Sequence, residues 1–371
     1  MTIENSTPTK TSKSIPRLYQ IDLVRFFAAL YVLLFHYGFR AHVAEIEGPY
    51  FDDATGFFQY GYLGVDLFFI VSGFVILMSA QKSNVVDFAI SRVSRLYPAY
   101  WVCVLLTVFV IIAYGNELFA ITWPQVMANM TMLNGFMRIP HVDGVYWSLL
   151  VELKFYFLMG SLLFIRKMKY VELLALGLLS ISVLQLAWPY ANAPRVVQLL
   201  YALTFPDWNS YFVAGMFMFI IWQNRKISWH MVFIPVCLGL SLIYSLGRGV
   251  VLSEHYDTEF LQWPIVVMVT LSYLVMLLIA LNKLEFINKR SFLKLGVLTY
   301  PLYLIHQNIG YIAMDMFGGI INKWILLAIL TIIMSLLAYV ISKYIEKPFG
   351  LYLRNTLKSH KLLNRLKAKI A

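Results

Sequence analysis

The sequence predicts an all-α fold, a polytopic membrane helix bundle of about ten transmembrane helices with both termini cytoplasmic. Three observations lead there. Of 371 residues, 60% are hydrophobic and 13% charged, whereas a soluble domain carries roughly 25% charged residues. Charge is needed in quantity only where a surface meets water, so most of this surface is expected to face lipid. Apolar runs of about 20 residues recur along the chain, each long enough to cross the hydrocarbon core as a helix. Basic residues gather at alternate ends of those runs, as membrane topology demands. A net charge of +11 is therefore read as topology, and no nucleic-acid partner is expected.

Hydrophobic patterning places the spans at about 22–42, 61–81, 97–116, 146–165, 170–188, 208–223, 229–247, 263–282, 293–312 and 323–342. The stretch 124–140 is expected to hold a partial or re-entrant segment. Residues 1–20 are polar, rich in Ser and Thr, and lack a short apolar segment with a cleavage site, so they read as an uncleaved, flexible cytoplasmic tail. Residues 21–345 form the membrane domain, and 346–371 a basic cytoplasmic tail lying on anionic membrane lipids or serving as a plain topology anchor. No internal repeat is visible, which disfavours the inverted-repeat transporters. Cys103 and Cys237 both sit in apolar runs at a spacing that fits no metal motif, so they read as buried small hydrophobes and no metal is expected.

Charge tests the layout. With a cytoplasmic N-terminus, about 23 Lys and Arg fall on the inside and 4 on the outside, the outer ones being Arg138, Arg195, Arg248 and Lys323. The first outer loop is acidic, with Glu45, Glu47, Asp52 and Asp53.

Ionisable residues within spans cost about 2.5–3.5 kcal/mol on insertion scales and mark candidate sites. Arg25 and His36 lie eleven residues apart in the first span, so an α-helix puts them on one face, roughly 16 Å apart along its axis. Arg25 sits near the cytoplasmic end. His36 lies deeper, where a group that titrates near neutrality can serve as a general base. A snorkelling arginine and a hydrogen-bonded core histidine is the competing reading. Asp66, in GYLGVDLFFIVSGF, must be protonated or paired, with His36 or an arginine as partner. Arg92 and Arg95 share a helix face at the cytoplasmic mouth of the third span, where two guanidiniums suit phosphates or simply anchor topology. In YWSLLVELKFYF, Trp147, Ser148, Glu152 and Lys154 lie inside the fourth span, and Lys154 either pairs with Glu152 or snorkels. His306, in YPLYLIHQ with Tyr303, reads as a packed histidine or a site residue. Glu346, in IEKPFG, reads as part of a helix-ending element.

In chain order these segments resemble the acyltransferase-3 family of integral membrane acyltransferases, which includes glycan O-acetyltransferases. The resemblance rests on Arg25-x10-His36, GYLGVDLFFIVSGF, SRVSRLYPAYW, VYWSLLVELKFYF, YPLYLIHQ and IEKPFG, and covers about residues 20–350. It implies a bacterial inner-membrane enzyme that moves an acyl group, usually acetyl from acetyl-CoA, to a hydroxyl of a carbohydrate or lipid-linked glycan such as O-antigen, capsule or exopolysaccharide. By similarity His36 is catalytic, with Asp66 and Glu152 as candidate acids. Arg25, Arg92 and Arg95 would hold acyl-CoA, and Trp147, Ser148, Tyr303, His306 and Glu346 would be substrate or structural residues. The C-terminal SGNH-type domain of many relatives is not expected here. A mechanism follows in which Asp66 orients His36 for proton abstraction, or His36 itself becomes acylated. The rival readings are a glycan or lipid-precursor transporter or flippase, and a membrane scaffold.

Overall fold

Hydrocarbon offers backbone N–H and C=O groups no water, so a spanning segment must satisfy them internally, and a helix does so residue by residue. The computed structural model describes residues 17–43, 48–226 and 228–370, with the backbone alone at 366 and 368–370. Most of the expected N-terminal tail, and Glu45 and Glu47 of the first loop, lie outside the described residues. The long helices are α1 (Tyr19–Phe35), α2 (Gly64–Ala80), α3 (Val85–Tyr114), α4 (Trp147–Phe164), α5 (Val171–Ala187), α6 (Pro206–Asn224), α7 (His230–Tyr256), α8 (Gln262–Ala280), α9 (Leu293–Phe317) and α10 (Lys323–Ile341). No strand occurs among the described residues. The chain is a multi-pass membrane helix bundle.

Among the described residues, eight helical segments are long and apolar enough to cross a membrane. The expected sixth and ninth spans fall on α6 and α9, which are long but more polar. The reason is their position. Almost every α6 residue from Asn209 to Trp222 is buried, and α9 buries Thr299, His306 and Gln307. Helices surrounded by protein need not be apolar on every side. α2 and α6 cross where Gly73 meets the Phe212 carbonyl and Gly215 meets the Ile70 carbonyl, so a Cβ at either position would strike backbone. In lipid, helix association rests on such close van der Waals packing, because lipid tails are as apolar as leucine.

Two expected boundaries are corrected. α3 begins at Val85, not near 97, capped by the Asn84 side chain, which accepts from Asp87 N at 2.9 Å. Pro98 therefore lies inside the helix. It has no N–H, so the Ser94 carbonyl loses its i+4 donor, and Gly350 of α11 (Lys347–Ser359) packs against that carbonyl. α7 runs past 247 to Tyr256, which moves Arg248 from the outer loop into the bundle. The glycines at 247 and 249 resemble a helix end in sequence, but tertiary packing carries the helix through them.

The stretch 124–140 turns back within the bundle. Its helix, Trp123–Met130, starts with a Thr122–Gln125 capping box. The carbonyls of Asn129, Met130 and Thr131 accept from Tyr100 Oη, Trp101 Nε1 and Tyr97 Oη. Those side chains lie about 20–25 Å along α3 from Tyr114, at 1.5 Å per residue. Irregular backbone at that depth is stable because protein donors meet its carbonyls. One end of the bundle, here the basic face, carries Arg17, Arg92, Arg95, Lys343 and α11. The other, the far face, is tied together by Lys323 with Asp52. Cys103 and Cys237 are buried and unpaired.

Candidate active site

α1 changes pitch at the residue of greatest interest. From His36 to Arg40 it is a π-helix, a form that occurs mostly as short bulges, often at functional sites. His36 is buried, and its Nδ1 lies 3.0 Å from the Val32 carbonyl and 3.0 Å from His306 Nε2 on α9. His306 Nδ1 in turn lies 2.9 Å from the Tyr303 carbonyl and 3.2 Å from that of Leu302. Carbonyls only accept, so the network assigns the proton of His306 to Nδ1 and leaves its Nε2 as an acceptor. His36 Nδ1 faces that lone pair and the Val32 carbonyl, so it must carry hydrogen. His36 Nε2 is left as the unprotonated, basic nitrogen. Among the described residues it has no hydrogen-bond partner.

His36 lines a cavity of about 310 Å³ together with Arg40, Arg248, Gln307 and the rings of Tyr62, Trp147 and Trp208. A second cavity, of about 60 Å³, is lined by Arg25, Ser72, Ser148, Glu152, Tyr300 and Tyr303. Val65 and Tyr303 form walls of both, so the two spaces abut across one side chain from each of α2 and α9. Arg25 and His36 are thus divided between the two spaces. In the smaller one, Glu152 Oε1 accepts from Ser72 Oγ at 3.0 Å and Tyr156 Oη at 2.6 Å. Ser148 Oγ and Tyr303 Oη lie 2.7 Å apart at the dividing wall. Trp147, the residue before Ser148, turns to the larger cavity.

The arginines stand toward the basic face. Arg25 has Arg95 as its neighbouring like charge and Glu152 and Asp22 as neighbouring acids. Arg95 and Arg25 also bear on Glu346, with Lys347 beside it. Glu346 does not end a helix as expected: it closes a second π-helical segment, Ser342–Glu346, and the chain runs straight on into α11. Arg92 is 8% exposed, stacked over Phe88 and Tyr156, and its Nε and Nη1 have no hydrogen-bond partner among the described residues.

Two expected contacts are absent. Asp66 does not meet His36. Its Oδ2 accepts from Arg248 Nη2 at 2.7 Å, Tyr211 Oη at 2.9 Å and Ser245 Oγ at 3.3 Å. The role of orienting His36 falls to His306. Lys154 does not pair with Glu152 either. Its ammonium caps the Ala202 carbonyl at the end of the helix Arg195–Thr204 and lies 3.4 Å from the Phe205 ring centroid. A helix C-terminus and an aromatic face both attract a cation. The residues missed in sequence are Ser72, Arg40, Arg248, Tyr300 and Gln307. Arg40 sits four residues after His36 and carried a signal, a second cation near a span end. The others carried none. No group of three His, Cys, Asp or Glu side chains suited to a metal gathers among the described residues.

A membrane bundle with a buried histidine pair beside two abutting cavities defines an integral membrane protein built around a polar core. The chain belongs to the acyltransferase-3 family, whose acyltransferase-domain profile matches residues 18–343. It is 26% identical over 162 residues to nodulation protein 10 of Rhizobium leguminosarum bv. viciae, covering 38% of this chain and 43% of that protein. It is 28% identical over 178 residues to O-acetyltransferase OatA of Staphylococcus aureus, covering 40% and 26%. It is 26% identical over 167 residues to the putative peptidoglycan O-acetyltransferase YrhL of Bacillus subtilis, covering 40% and 23%. The matches thus span less than half the length of these relatives. No solved structure matches.

Proposed function

We propose that this chain is a membrane O-acyltransferase that moves an acetyl group from acetyl-CoA at the basic face to a carbohydrate hydroxyl in the larger, His36-lined cavity, here the far cavity. One observation carries the reading: His36, whose Nε2 has no hydrogen-bond partner among the described residues, lines a cavity that abuts the Arg25 cavity across Tyr303 and Val65. The basic face is the cytoplasmic side, on the charge asymmetry, and the membrane is the bacterial inner membrane.

The proposed chemistry balances as follows. The phosphates of acyl-CoA are held by Arg92, Arg95 and Arg25, whose guanidiniums suit phosphate oxygens. The pantetheine arm carries the thioester inward past Glu152 toward Tyr303. His36 Nε2 takes the acceptor hydroxyl's proton as its oxygen attacks the thioester carbonyl. The C–S bond then breaks, the ester forms, and the thiolate recovers the proton as CoA–SH. Hydrogen bonding through Nδ1–H to His306 holds the ring and spreads the imidazolium charge, the role an acid performs in other histidine systems. Glu152 positions Ser72 and Tyr156 along the donor's path, and Asp66 braces the bundle.

The relatives named O-acetyltransferases support this assignment. Purified protein in detergent, with radiolabelled acetyl-CoA and candidate polysaccharides or lipid-linked glycans, tests it. Label should pass to glycan with wild type and not with His36→Ala of unchanged elution and unfolding. Equal transfer by both proteins would overturn the mechanism. Glycan movement across vesicles without acetyl-CoA consumption would return the protein to the transporters.

A further inference from the structure

The walls of the far cavity carry more than a neutral sugar requires. The rings of Tyr62, Trp147 and Trp208 offer flat apolar faces for sugar C–H groups. Beside them stand Arg40 and Arg248, and among the described residues no carboxylate lines the space. Arg248 is held by Asp66 through Nη2 and lies 5.6 Å from the centroids of Tyr62 and Trp208, with its Nε unpartnered. Arg40 donates through Nη1 to Gln307 Oε1 at 3.2 Å, a neutral partner, and its Nε is also unpartnered. Among the described residues Arg40 has no carboxylate at ion-pair distance. The acid that bears on it, Asp143, is fully buried and accepts from Val145 N and Asn308 N. Asp143 spends its two oxygens on those backbone N–H groups rather than on the Arg40 fork.

A guanidinium within a membrane protein is costly and is kept where it faces an interior cavity with work to do. Neutral hydroxyls do not need one, whereas carboxylate and phosphate match its planar fork. We propose that the far cavity takes an anionic acceptor: a saccharide whose carboxylate or phosphate seats between Arg40 and Arg248 while the hydroxyl to be modified reaches His36. The acceptor role rests on the acyl-transfer reading, and the anion site does not.

The test uses the full chain in lipid nanodiscs, with binding followed by intrinsic tryptophan fluorescence. The probes are a glucuronate-containing tetrasaccharide, the same tetrasaccharide with its carboxyls reduced to alcohols, and farnesyl diphosphate. Wild type should bind the acidic sugar about tenfold or more tighter than the reduced one, because a charge-assisted pair is lost on reduction. Arg40→Gln should bring the two within about twofold while leaving the reduced sugar's affinity in place. Should Arg40→Gln fail to fold, Arg40→Lys, which keeps charge but loses the fork, should show a reduced preference. Displacement of the acidic sugar by farnesyl diphosphate points to a lipid-linked phosphate, and failure to displace it points to a carboxylate; both support the site. Equal affinity for the acidic and reduced sugars overturns it, as does a preference untouched in the Arg40 variants, or no binding of any anionic probe. Acetyl transfer is scored separately. Transfer to the reduced sugar as fast as to the acidic one sinks the anion site and leaves the acyltransferase. Anion preference with no transfer to any acceptor does the reverse.

Discussion

Two polar centres lie within this bundle, and they differ in what is left over. At Asp66, one carboxylate oxygen gathers Arg248, Tyr211 and Ser245 from two other helices. At His36, one ring edge is held by Val32 and His306 and the other edge looks into a cavity. The first arrangement ties helices together. The second orients a ring and leaves its other nitrogen without a partner among the described residues. Asp66 draws three donors to one oxygen while its Oδ1 stays buried without a partner among the described residues, which suits a brace, and a ring held along one edge beside a cavity suits chemistry.

The largest effect separating the two is expected at His36. His36→Ala should lower acetyl transfer by about 10²–10⁴-fold, the usual worth of a positioned base, with unfolding in detergent unchanged. Asp66→Ala should do the opposite. It strands the Arg248 charge and should cost about 3–5 kcal/mol in a reversible unfolding assay, and an Asp66→Leu/Arg248→Met pair should regain most of that. If Asp66→Ala kept its stability and lost only turnover, the distinction between the centres would collapse. His306→Phe removes the acceptor for His36 Nδ1 without touching Nε2. Its loss in turnover should be smaller, up to about 100-fold, as expected for a misplaced catalytic group. Replacing Arg92 and Arg95 together with alanine should weaken acyl-CoA binding about tenfold, read by titration. That difference should shrink as salt rises, because screening already weakens the wild-type site. The smallest effect belongs to the exposed pair Lys323–Asp52, a control for the buried Asp66–Arg248 pair. Lys323 holds the Asp52 carboxyl below its usual value. Its contribution is therefore present at neutral pH and lost as pH falls through that lowered value. Lys323→Ala should leave thermal unfolding at pH 7 within error, as exposed pairs do.

Much of this was legible in sequence because hydrophobic periodicity and rare charges are local signals. Arg25, His36, Asp66 and Glu152 announced themselves as polar residues in apolar runs, and Asp66 announced that it needed a partner. Which partner it took was not legible. Arg248 is 182 residues away and His306 is 270 residues from His36, and helix periodicity does not say which helices touch. Arg248 was further hidden by its flanking glycines, which made a mid-helix residue look like the start of a loop. α6 showed the converse difficulty: a helix polar for a span because protein, not lipid, surrounds it.

The pitch change at His36–Arg40 has a consequence for how such a protein can vary. A π segment holds one residue more than an α-helix needs between the same two ends, so deleting Gly38 should let it close to an ordinary turn with the helix on either side kept in phase. Arg25 upstream and Arg40 downstream would keep their facing, and the change would fall on the backbone around His36. The extra residue is absorbed on the spot rather than passed along the helix. Single insertions and deletions here can reshape the wall at His36 while the rest of α1 stays where it is.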